Sequence, residues 1–69
     1  MKEARFVSQN KEKWGKMENV NHLDTDTLAS NYVILSDDLS YAKTFYPGSD
    51  VVKYLNQLIY VYQINIYGQ

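Results

Sequence analysis

Apolar residues fall along this chain in three separated sets, each with the spacing of a helix. The clearest runs from Leu23 to Tyr46. Leu28, Tyr32, Leu35, Leu39, Ala42 and Tyr46 recur at steps of three and four, which places them on one helical face. Ile34, Tyr41 and Phe45 form a second stripe beside it. At about 100° per residue the two stripes together span roughly half the circumference. That width predicts a central helix with neighbours on both flanks.

Local chemistry marks the ends of this helix. Asp24 is placed to cap the first turn, with Asp26 at the positive end of the helix dipole. Leu23 and Leu28 occupy the two positions of a hydrophobic staple. At the far end Tyr46-Pro47-Gly48 stops the helix, because proline disfavours helical geometry in the residue before it and glycine permits a reversal.

Before this segment, Phe6, Val7, Trp14 and Met17 share one face with Asn10 among them, which predicts a helix over residues 3–18. Gly15 lies on the other side and costs about 1 kcal/mol relative to alanine. The asparagines at 19 and 21 predict a turn. After Gly48, Ser49 caps a third helix whose broad face carries Val51, Val52, Tyr54, Leu55, Leu58, Ile59, Tyr62 and Ile66. Its end, from Ile59 to Tyr67, has the composition of a strand. With no second strand in the sequence to pair with it, a lone strand is unstable, so the expectation is helix to about 66. The prediction is therefore all-α: one domain of three helices, 3–18, 25–46 and 50–66, in an up-down-up bundle.

Length sharpens this picture. At 69 residues a single domain buries only about 60% of its unfolded surface. No cysteine is present to reinforce it or to bind metal as thiolate, and His22 is the sole histidine, which excludes the usual zinc clusters. Neither a signal-peptide run nor a membrane-spanning run occurs; the most apolar window, Leu55–Tyr67, is too short and is broken by Asn56, Gln57, Gln63 and Asn65.

The net charge of −1 gives no general attraction to nucleic acid. Its distribution is uneven: residues 1–22 hold five basic and three acidic side chains, residues 23–69 two basic and five acidic. This asymmetry fits docking of the first helix on the acidic remainder, or a weakly basic outer face. Exposed charges on a solvated face are the default, however, and account for it without a function. The lysines of the first helix lack a recognition helix with base-reading side chains beside them, so no nucleic-acid partner is expected.

Candidate chemistry is sparse. Asp24-x-Asp26 opens like a calcium loop, but Leu28 and Ala29 occupy the next ligand position and the required glycine. No phosphate loop or nucleophile elbow is present. Asp37-Asp38 is the one adjacent acidic pair, and Asp38 falls on the arc with Ile34 and Tyr41. There it would need a donor such as the Trp14 indole, the Asn10 amide or Arg5. Asn31 is the other polar residue in that arc. The expectation is a non-enzyme, without metal, cofactor or small-molecule substrate, in which Asn10, Trp14, Asp38 and Asn56 form a structural network. On the third helix Tyr60, Ile64 and Tyr67 cluster opposite the core face, a candidate interface.

These residues together resemble the N-terminal region of the stage II sporulation protein M family. The resemblance runs through Met1, Glu3-Ala4-x-Phe6-Val7, Asn10-x-x-x-Trp14, Leu35-x-x-Asp38-Leu39-x-x-Ala42, Pro47 and Tyr54-Leu55-Asn56-x-Leu58, with Lys43 at a commonly basic position. Gln63 departs from it, since members often carry histidine there. The resemblance implies the cytosolic head of an integral membrane protein, cut near Gly68-Gln69 before the first span. It also implies a non-catalytic docking or assembly role on the cytoplasmic side of the membrane, in a family associated with engulfment in endospore formers. Its partners would be other parts of the same protein, or the membrane through the missing spans. The alternative is a stand-alone interaction or regulatory module that self-associates through the third helix.

Overall fold

The computed structural model describes residues 2–68. Met1 and Gln69, where the resemblance begins and the expected cut falls, lie outside the described residues. Helix α1 spans Glu3–Met17, α2 Thr25–Phe45 and α3 Asp50–Tyr67, with no strand among the described residues. Each boundary falls within one residue of that expected, and the β-rich end of α3 is helical throughout.

The caps explain this agreement. The Asp24 carboxylate accepts from the Thr27 amide at 2.9 Å, and the Ser49 hydroxyl accepts from the Val52 amide. Thr27, through its side chain and its amide, holds the Asp24 carboxyl below its ordinary pKa. Tyr46 leaves helical geometry ahead of Pro47, and Gly48 takes a φ of 74°, which a side chain would resist. Between α1 and α2, the Asn19 side chain accepts from the Asn21 amide. Val20, in the midst of this polar turn, is nonetheless buried. His22 is exposed.

Helices α2 and α3 pack closely along their length. Leu28, Leu35, Leu39 and Ala42 of α2 meet Val51, Leu55, Leu58, Ile59 and Tyr62 of α3 in one core. Helix α1 closes it by lying across both partners rather than beside α2 alone. Phe6 stacks on Tyr41 with ring centres 5.0 Å apart and also meets Tyr46, while Trp14 reaches Tyr54 of α3.

The second stripe of α2 is less covered than its periodicity predicts. Tyr41 is half-buried, but Ile34 and Phe45 are exposed. Helix α1 meets this stripe at Asp38 and Tyr41, through Trp14 and Phe6, and leaves Ile34 and Phe45 at the surface. Phe45 instead packs at a tilt against Tyr41 and Tyr46 at the surface.

Candidate interaction surface

One α1 residue, Trp14, joins the helices at the centre of the molecule. Its ring is 2% exposed and its indole N–H donates to Asp38 Oδ2 at 2.8 Å. The same oxygen receives Lys13 Nζ at 2.8 Å. An ionised acceptor strengthens both contacts, so Asp38 clamps two successive α1 residues onto α2. Its carboxylate is thereby committed to structure.

The other two expected members of this network go elsewhere. Asn10 is partly buried, and its amide turns back to the Phe6 carbonyl of its own helix at 2.8 Å. Asn56 is corrected outright: its side chain is exposed and makes no hydrogen bond among the described residues. It follows the fully buried Leu55, and one step of about 100° carries it off the core face.

A second polar junction takes their place. Tyr62 is fully buried; its hydroxyl donates to the Met17 carbonyl at 2.8 Å and accepts from Asn31 Nδ2 at 3.0 Å. This satisfies one of the carbonyls that the end of α1 leaves without a helical partner. All three helices therefore meet at one phenol. Gln63 Nε2 donates to the Tyr32 hydroxyl at 3.2 Å, which links α3 to α2 nearer the surface. Neither the Lys13–Asp38 pair nor the Asn31–Tyr62 bond follows from spacing within one helix; the sequence signal is Asn31, a polar residue within the core arc.

At the other edge of α1 the Tyr54 hydroxyl donates to the Glu18 carboxylate. Burial first, and then this acceptor and its charge, push the Tyr54 phenol above its ordinary pKa. A raised folded-state pKa means that the neutral phenol is favoured by folding. Its contribution is complete below about pH 10, the ordinary tyrosine value, and is lost as pH rises beyond it. Urea midpoints at pH 8 and pH 11 check this: the alkaline drop in wild type is expected to shrink in Tyr54→Phe. An equal drop in both proteins would contradict the assignment.

The candidate interface lies on the far side of α3. Tyr60, Ile64 and Tyr67 are exposed by 62%, 51% and 78%. Lys53 and Asp50 are the only charges on α3, and both precede Tyr54, so the outer surface of the last four turns is uncharged. Among the described residues, no helix is long and apolar enough to cross a membrane, and no group of three or more His, Cys, Asp or Glu is placed to hold a metal.

Comparison with known proteins adds a family. A family model described as "Domain of unknown function (DUF8413)" matches residues 4–68, nearly the whole chain. No curated protein and no solved structure matches.

Proposed function

We propose a non-catalytic docking or assembly role for this chain, which belongs to the family described as a domain of unknown function, DUF8413. The observation that carries this reading is the outer face of α3, where Tyr60, Ile64 and Tyr67 stand exposed without a charge from Tyr54 onward. Exposed aromatic side chains beside aliphatic ones, with no charge to keep them hydrated, are the composition of interface centres. The carboxylate best placed for chemistry, Asp38, is held by Trp14 and Lys13, which favours a structural role over catalysis.

In its fuller form the reading makes this chain the cytosolic head of a stage II sporulation protein M-like membrane protein, with the α3 face against the rest of that protein. That form rests on the resembling residues alone, since the family's description gives no link to it. A second form has the same face joining two copies of the chain, favoured by its lack of like charges to repel each other.

The test replaces the surface and leaves the core alone. Tyr60→Glu combined with Ile64→Lys is expected to lower the association state in sedimentation velocity or raise the solubility limit, with the helical circular dichroism unchanged. If association and solubility both stay the same, the face is no interface. Hydrophobic spans encoded after Gln69 would support the membrane form, and a stop codon there would end it.

A further inference from the structure

A different surface of the molecule carries a second, independent reading. Between α1 and the start of α3 lies an open groove of about 590 Å³. Half-buried Val7 of α1 and Tyr54 of α3 are its apolar surface, above the buried Trp14 and Val51. Its rim is acidic: Glu3 and Asp50 stand at one end and Glu18 at the other, against the single ammonium of Lys11. The α1 stripe that lines it, from Glu3 to Glu18, runs about 22 Å at 1.5 Å per residue, about four helical turns.

Gly15, though off the core stripe of α1, is exposed and lines the rim of the groove. It lies inside α1, where alanine is intrinsically the better helix former. A methyl group built there would meet nothing within 4 Å, so no crowding in the fold requires glycine. A larger side chain at this open rim position would therefore reach over the groove without disturbing the core.

From these features we propose that the α1–α3 groove docks an amphipathic, basic helix of a partner protein. Apolar side chains at successive turns of that helix would rest on the half-buried Val7 and Tyr54, the helix-in-groove mode of recognition. Its Lys or Arg residues would meet Glu3 and Asp50 at one end and Glu18 at the other. The charge pattern selects this occupant, because three carboxylates against one ammonium repel an anionic lipid surface, a nucleic acid or an acidic peptide.

The proposal is tested with a synthetic peptide of Leu and Lys, four turns long, with Leu at i, i+3, i+4 and i+7. Its analogue with Glu in place of every Lys is the control. Binding is read from Trp14 emission and from the backbone amide shifts of Val7, Lys11 and Gly15. The Lys peptide is expected to bind saturably and the Glu peptide not to bind. Gly15→Leu, which fills the groove at an open position, is expected to weaken binding at least tenfold. Glu3→Lys with Asp50→Lys should weaken it similarly, while Tyr60→Glu with Ile64→Lys should leave it intact. Absence of saturable binding at low salt would overturn the proposal. So would equal affinity for the two peptides, or equal affinity of wild type and Gly15→Leu. Concentration-dependent amide shifts at Gly15 without peptide would place a second copy in the groove and overturn it as well.

Discussion

Trp14→Ala is expected to leave the chain unfolded in buffer. The indole is 2% exposed, touches Phe6 and Tyr54, and donates to Asp38. Truncating a buried aromatic of this kind costs about 3–5 kcal/mol. A domain this short rarely draws more than ~3–5 kcal/mol from its core. The loss is therefore about as large as the whole margin. Circular dichroism at 222 nm should fall to the coil value, and the urea transition should vanish. Trp14→Phe separates the two contributions, since it keeps most of the apolar area and removes the indole N–H. Asp38 then retains Lys13 as a partner, so a smaller cost of about 1–3 kcal/mol is expected for the lost donor. A cooperative, wild-type-like transition in Trp14→Ala would mean that α1 adds nothing to the core.

The second large effect is at Tyr62. Tyr62→Ala opens a cavity at a fully buried site and strands the Met17 carbonyl and the Asn31 amide. By the same measure as for Trp14, about 3–5 kcal/mol is expected. Tyr62→Phe retains the ring and isolates the hydroxyl, for which about 1–3 kcal/mol is expected from the two groups left unpaired. Urea denaturation of both variants gives the partition. Because the hydroxyl bonds the last residue of α1, amide hydrogen exchange in Tyr62→Phe should rise first at the C-terminal end of α1. Uniform acceleration over all three helices would show instead that the phenol stabilises only the global fold.

Helix ends were readable in the sequence because their causes are local. Asp24 and Ser49 cap within three residues of themselves, and Pro47-Gly48 breaks α2 whatever packs around it. The junction of Trp14 with Asp38 was within reach for a related reason. Each helix wheel places its residue in or beside the apolar arc, and a carboxylate there needs a donor. What could not be read is how the helices are seated on one another. The bond from Tyr62 to the Met17 carbonyl depends on the rotation and height of α1 against α3, which no spacing within one helix fixes. The choice of Lys13 over Arg5 or Asn10 at Asp38 depends on the same seating.

Periodicity also shows which face is apolar without showing how much of it will be covered. Ile34 and Phe45 fit the helical stripe and still lie at the surface, beyond the reach of α1. Asn56 is a different case. Its position one step past Leu55 already turned it off the core face, so the sequence held the signal that it stands outside the network. Tyr60, Ile64 and Tyr67 were placed opposite the core by the same wheel, and the structure finds all three exposed there.

Whether that outer face of α3 is used is the central question, and crosslinking in living cells tests it most directly. A photoreactive benzoylphenylalanine in place of Tyr67, the most exposed residue of the patch, is compared with the same group at the exposed Ser30 of α2. A docking role predicts discrete adducts from position 67, whether to the same chain or to another, that disappear when Tyr60→Glu and Ile64→Lys are added. Adducts no stronger than those from position 30, or adducts indifferent to that pair of substitutions, would contradict it.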